Sequence, residues 1–283
     1  MKKLILLLAG IFAAASAAQA QSSAKITFWG GPQYVSLVNV QDHLRSYDRS
    51  TLQREPTYRA AGGIDLIYNF AESYGIQSGI SYSQQGQKYR GFITTDLNTN
   101  KLVDQDFSSR IYLNYLRVPL MFRFNSEFST EDQMSLTIFA GLQYSFLRNV
   151  EVVETSPGPP DSIANRYQNY DFKQLFKKAN PGIAAGAQFN IRLSPTLHTI
   201  IGVRYDRSFG SIEDLSKRIP RDAPVEWQFP VSTKKSTDTD NLVRTPNRLT
   251  SLNLYTGITF TLFRGVAPPP RPADWDNDSE TPE

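Results

Sequence analysis

Imidazole is the side chain best suited to moving protons near neutral pH, and this chain has two histidines. His43 stands beside Asp42, with Ser46 and Asp48 close by, the residue types of a base, a nucleophile and an orienting acid. His198 lies far along the chain, on a different predicted segment, so the two cannot share a site. There is no cysteine, hence no thiol nucleophile and no thiolate metal ligand. "GGPQ" (Gly30 to Gln33) is followed by neither a lysine nor a helical pattern, so it is no phosphate loop. "QDH" (Gln41 to His43) is no metal motif. A lone loop histidine is ordinarily just solvated, and the expectation is a protein that is not an enzyme and holds no cofactor or metal.

A second group of polar residues is harder to dismiss. Asp65, Gln77, Arg117, Arg123, Gln143, Gln188, Arg204 and Asp206 all fall inside apolar segments. In "SRIYLNYLRVPLMFRFN" (Ser109 to Asn125) the even positions carry Leu116, Val118, Leu120, Phe122 and Phe124, while the odd ones carry Arg117, Pro119 and Arg123. Successive strand side chains point to opposite faces, so one face is apolar and the other charged. Charges on such a face must pair, because isolated burial costs several kcal/mol, on the order of a lost domain stability. Asp65 and Asp206 are therefore expected to pair with Arg117, Arg123 or Arg204.

The elements that would position these residues share that period of two. Segments beginning near Lys25, Tyr58, Gly75, Ser109, Met134, Gly182, Leu197 and Ser251 repeat the split, eight in all, the first weakened by Gly30, Gly31 and Pro32. The connections alternate in length. Long ones span about 39–57, 87–108, 149–179 and 210–247; short ones lie at Ala71–Tyr74, Asn125–Gln133 and Ser194–Thr196. Transmembrane β-barrels have this asymmetry, with an even strand number, short periplasmic turns and long extracellular loops. Segments of roughly 11–16 residues also suffice for tilted strands crossing the hydrocarbon layer. Trp29, Tyr68, Phe70, Phe122, Phe124, Phe189 and Phe260 are read as an aromatic girdle near the short-turn ends. The predicted fold is all-β: an eight-stranded antiparallel up-and-down transmembrane β-barrel over residues 21–264.

The flanks read differently. Lys2 and Lys3 precede a short apolar run that closes on "AQA" at Ala20, the pattern of a cleaved export signal over residues 1–20. Without it 28 basic residues face 27 acidic ones, which argues against a nucleic-acid partner. Residues 265–283, "GVAPPPRPADWDNDSETPE", are Pro-rich and acidic, the composition of an extended periplasmic tail that cannot form a core. A tail contact with peptidoglycan or a periplasmic protein through Trp275 is the sharper alternative.

At "YLRVPLMFRF" the chain resembles the PorT-like outer-membrane β-barrel family of Bacteroidetes, on Tyr115, Leu116, Val118, Pro119 and Leu120. "GIQSGISYSQQG", "FAGLQYSFL" and "NPGIAAGAQFNI" resemble that family's third, fifth and sixth strands in the same order. Arg117 departs from it, since an acidic residue is common there, and a family-typical lumen pairing must be rearranged. The resemblance implies an outer-membrane location and an accessory role in protein secretion, with a periplasmic or secretion-system partner. "YTGITFTL" resembles the final-strand signal read by the barrel-assembly machinery, on Tyr255, Gly257, Phe260 and Leu262. Two other readings stay open. One is a narrow gated conduit lined by the same charges. The other is a soluble exported lipocalin-type barrel for a small apolar ligand, which requires the opposite assignment of inside and outside.

Overall fold

The computed structural model describes residues 22–39, 51–94, 104–127, 133–155, 172–214, 216, 233–235, 242–244 and 247–265. The expected export signal, the loop carrying His43, and the expected tail beyond Gly265 lie outside these residues. In chain order the strands are β1 (Ser23–Asn39), β2 (Thr51–Glu55), β3 (Thr57–Asn69), β4 (Tyr74–Thr94), β5 (Asp104–Glu127), β6 (Met134–Thr155), β7 (Ala179–Arg192), β8 (Leu197–Ser208), β9 (Thr233–Lys235), β10 (Leu242–Arg244) and β11 (Asn247–Arg264).

Eight of them close on themselves. Every long strand pairs antiparallel with its neighbour in sequence, and β1 pairs with β11 to complete the ring, Ile26 opposite Phe260 and Tyr34 opposite Leu252. β9 and β10 form a small separate hairpin. Closure leaves no exposed sheet edge within the ring, which is what a sheet in hydrocarbon requires. The ends of the ring meet where the Gly265 N–H donates to the Ser22 carbonyl at 2.6 Å. That is also the end of the three short connections, since Ser23 faces both Asn69 and Arg264.

The burial pattern decides which face is which. Ile64, Leu66, Ile80, Leu120, Leu142, Ile201, Leu254 and Leu262 point outward, between 46% and 61% exposed. Gln33, Asp65, Gln77, Gln143, Gln188, Arg204 and Asp206 point inward, at 5% or less. A polar interior inside an apolar wall is the inverse of a lipocalin, and the soluble ligand-binding reading is set aside on this ground. Outward aromatics gather near the short turns, with Tyr74 against Phe122 (5.8 Å) and Phe124 (5.5 Å), Phe70 against Phe122 (6.4 Å), and Phe28 against Phe260 (6.3 Å). Trp29 is not among them. It is 9% exposed, inside the barrel against Tyr255, because β1 keeps its odd residues inward straight through the Gly-Gly-Pro interruption that obscured its parity.

Strand lengths also differ from the sequence reading. β4, β5 and β6 run well into the segments read as long loops, and β2 pairs with β4 from Thr51↔Phe92 to Glu55↔Lys88. The ladder continues there although the apolar alternation of the sequence fades. The result is an uneven wall. β6 leaves β7 after Phe146↔Ala179, whereas the β5–β6 register continues to Ser108↔Thr155. Arg148 is the extra residue of a β-bulge at that departure.

Proline marks the weak points of the ladder. Gly79 and Ile80 are missing from an otherwise continuous β4–β5 register at the level of Val118 and Pro119, and the Ser78 hydroxyl donates to the Pro119 carbonyl at 2.9 Å. Pro119 has no N–H to give across that seam. Pro32 marks a similar gap in the β1–β11 register, between Gly30↔Thr256 and Gln33↔Asn253. Pro56 splits β2 from β3, and here Gln87 replaces a rung: its Nε2 donates to the Glu55 carbonyl (2.7 Å) and its Oε1 accepts from the Leu37 N–H (3.0 Å).

Candidate functional site: the barrel lumen

The lumen is stacked in layers. Nearest the short turns is a network of amides and hydroxyls. Asn69 Nδ2 donates to Ser23 Oγ (3.0 Å), Thr137 Oγ1 to Asn125 Oδ1 (2.7 Å), Asn190 Nδ2 to Thr137 Oγ1 (2.9 Å) and Gln188 Nε2 to Asn190 Oδ1 (2.7 Å). Tyr255 Oη donates to Gln188 Oε1 at 2.9 Å, carrying the network up to the ring of Trp29. Beside it, Arg123 Nη1 donates to Gln77 Oε1 (3.0 Å), and Gln77 Nε2 donates to Asp65 Oδ2 (2.6 Å). Among the described residues Asp65 therefore makes no ion pair with an arginine, contrary to expectation. A glutamine amide stands between the two charges and bonds once to each.

An apolar collar follows, built from Trp29, Ala61, Met121, Phe139, Ala184, Ile200 and Tyr255. Glycines make room for its rings: a Cβ on Gly186 would meet Phe139 Cζ at 2.6 Å, and one on Gly202 would meet Tyr255 Cζ at 2.6 Å. Above the collar sits the ionic centre. Asp206 accepts from Arg117 Nη1 (2.9 Å) on one oxygen and from Arg204 Nε (2.9 Å) on the other. Arg204 Nη2 also donates to Gln143 Oε1 (3.0 Å), and its guanidinium lies 5.7 Å from the Trp29 ring centroid. One carboxylate with both oxygens engaged by two guanidinium groups is the geometry that offsets burial of charge.

The long-loop end is closed by the chain itself. A 3₁₀ turn at Phe172–Leu175 and the segment 209–214 dip into the mouth, joined by Lys177 N–H to Ile212 O (2.8 Å) and Asp214 N–H to Leu175 O (2.9 Å). Leu175, Phe176 and Ile212 pack on Val35, Leu37, Ile111, Leu113, Tyr115, Leu147 and Leu249, all buried. Glu213, fully buried, accepts from Asn247 Nδ2. Neither this lid nor Gln33, Gln85 and Gln87 in the upper lumen was singled out from sequence. The signal for the glutamines was present, since they share the inward parity of β1 and β4. The lid carried no periodic signal.

The remaining sequence-stated positions fall as follows. Tyr115 and Pro119 face inward; Leu116, Val118 and Leu120 share the outward parity. On β11, Tyr255 is buried in the lumen, Gly257 lies against the Phe28 carbonyl and Trp29, and Phe260 and Leu262 face out. His198 begins β8 at the short-turn end, opposite Arg192. Among the described residues no group of three His, Cys, Asp or Glu side chains gathers as metal ligands would.

A closed antiparallel barrel with apolar residues outside and a hydrogen-bonded polar interior is a membrane-spanning β-barrel. Residues 18–214 match the model of the outer membrane protein beta-barrel domain, and the chain belongs to that family. It is thus an outer-membrane protein whose apolar band meets lipid. No curated protein matches it. Among solved structures it is similar to the outer membrane protein OprG from Pseudomonas aeruginosa (12% identity, 86% of this chain and 98% of that one, TM-score 0.43). It is also similar to Neisserial surface protein A (10%, 84% and 97%, 0.35). A third is Ail, the attachment invasion locus protein of Yersinia pestis, solved with the heparin analogue sucrose octasulfate (12%, 84% and 99%, 0.32).

Proposed function

We propose that this protein is a closed, non-enzymatic barrel of the outer membrane that serves the envelope as a structural or interaction protein, with an accessory role in protein secretion. The observation that carries the closed state is the Arg117–Asp206–Arg204 centre, stacked between an apolar collar and the lid of Leu175, Phe176 and Ile212. Eight strands enclose a space that side chains alone can fill, and here both charges and apolar groups fill it. The secretion role rests on the PorT-like pattern around Tyr115 to Leu120. In this reading the short turns and both barrel ends face the periplasm, residues 1–20 direct export, and residues 265–283 offer a periplasmic contact. The long-loop end faces outward, and Tyr255, Gly257, Phe260 and Leu262 present β11 to the barrel-assembly machinery.

Planar-bilayer recording tests the closed state. The purified wild type should give no discrete conductance steps, and steps abolished or altered by Arg117→Ala would instead favour a gated conduit. Pull-downs in mild detergent, with and without residues 265–283, test the partner: a secretion-system protein lost on truncation supports the accessory role.

A further inference from the structure

Two cavities interrupt the packing of the lumen. Each has about 10 Å³ open to the centre of a water molecule, room for one water. The lower one is bordered by Trp29, Asp65, Gln77, Arg123, Arg204 and Tyr255. The upper one is bordered by Tyr115, Arg117, Gln143, Asn180 and Asp206, beneath Ile212 of the lid.

Among the described residues, six of the nine buried side-chain polar atoms without a protein partner belong to residues lining these cavities. Trp29 Nε1, Asp65 Oδ1 and Arg123 Nε belong to residues lining the lower cavity, where the Trp29 indole interacts with Asp65 without full hydrogen-bond geometry; Tyr115 Oη, Arg117 Nε and Asn180 Nδ2 belong to residues lining the upper. Each of these residues is at least nine-tenths buried. A buried donor or acceptor left without a partner costs about 1–3 kcal/mol, so three on the residues around one small space call for a ligand. The chemistry of each trio fits the same ligand. In the lower cavity two N–H groups donate and a carboxylate oxygen accepts, which one molecule with two lone pairs and two protons satisfies. A bare cation would face two donors, and an anion would face the Asp65 carboxylate. In the upper cavity Arg117 and Asn180 donate while the Tyr115 hydroxyl can accept.

We propose that each cavity is a binding site for a single, long-lived water molecule. The lower water joins Trp29 and Arg123 to Asp65, and the upper joins Arg117 and Asn180 to Tyr115. The ionic centre lies between them, so they are two separate stations rather than a file. This inference stands whether or not the barrel is closed to ions, and its test does not depend on conductance.

The experiment uses the full-length protein, folded in detergent micelles and isotopically labelled on tryptophan and arginine side chains. Trp29→Phe assigns the Trp29 indole signal. The expected result is a cross-peak from the Trp29 Nε1–H to water with opposite signs in the laboratory and rotating frames, the signature of a bound rather than exchanging molecule. A matching cross-peak is expected from Arg117 Nε–H. Asn180→Leu, which fills the upper site and removes a donor, should erase the Arg117 cross-peak and leave that of Trp29 unchanged. Absence of both cross-peaks in the folded wild type, or cross-peaks of exchange sign alone, overturns the proposal. The wild-type measurement decides the matter by itself if the variant does not fold.

Discussion

Asp206 and Asp65 are both buried aspartates in one lumen, yet they should answer differently to the same substitution. Asp206 holds two guanidinium groups directly, so Asp206→Asn leaves Arg117 and Arg204 facing each other without a counter-charge. Loss of one partner from a buried charge network costs about 3–5 kcal/mol. Asp65 accepts from the Gln77 amide, which an asparagine oxygen can also do, and Asp65→Asn should cost about 1 kcal/mol. Urea unfolding in lipid vesicles measures both, and equal losses would mean that Asp65 is neutralising charge rather than closing a hydrogen bond. That all eight polar positions lie on the face opposite the apolar one could be read from alternation; that this face is the inner one comes from burial. That Asp206 meets an arginine was also expected; which one was not legible, because Arg117 and Asp206 are 89 residues apart and meet only when the ring closes.

At the scale of the strand, the instructive positions are the prolines and the amide that answers one of them. Gln87→Leu keeps the volume of the side chain and deletes its main-chain bonds to Leu37, Glu55 and Lys88, where Pro56 divides the second wall strand. A destabilisation of about 1–3 kcal/mol is expected, together with faster amide exchange in β2 than in β7. Unchanged exchange would mean that the β2–β4 ladder holds that edge without help. The existence and order of the strands were legible, since period two survives wherever one face meets lipid. Their upper ends were not, because that contrast disappears in water, as in β4 beyond Gln87 and β5 before Ile111. Pro119 lacks a donor, and the β4–β5 register breaks at its level.

For the molecule as a whole, the assignment of outside to lipid makes an uncommon forecast. Leu120 is 60% exposed, and in a water-soluble protein an arginine there would cost little. In this barrel Leu120→Arg places a charge in the hydrocarbon and should destabilise by about 2–4 kcal/mol in vesicles. Tolerance of that arginine would contradict the membrane orientation. The folded wild type should also migrate faster unboiled than boiled in SDS gels, since a closed ring resists the detergent until heated. The three short connections lie at one end of the ring, as the alternation of connection lengths implied. The lid could not be anticipated, because Leu175, Phe176 and Ile212 are isolated apolar residues in segments without any period.

The uneven wall has a consequence of direction. β5 has 24 residues and β8 only 12, a difference of about 40 Å of strand at ~3.3 Å per residue. A barrel with a level rim looks the same from every bearing in the plane of the membrane. This one has a heading: β4, β5 and β6 stand up on one side, and β7 and β8 stop short on the other. Neighbours confined to one sheet of lipid can differ only by rotation about its normal, so each approach to this protein is frontal, rearward or oblique. Labels placed at Val150 of β6 and at Arg207 of β8 would report that heading in the native membrane. Crowding of identical copies should then produce preferred angles between them rather than a disordered scatter.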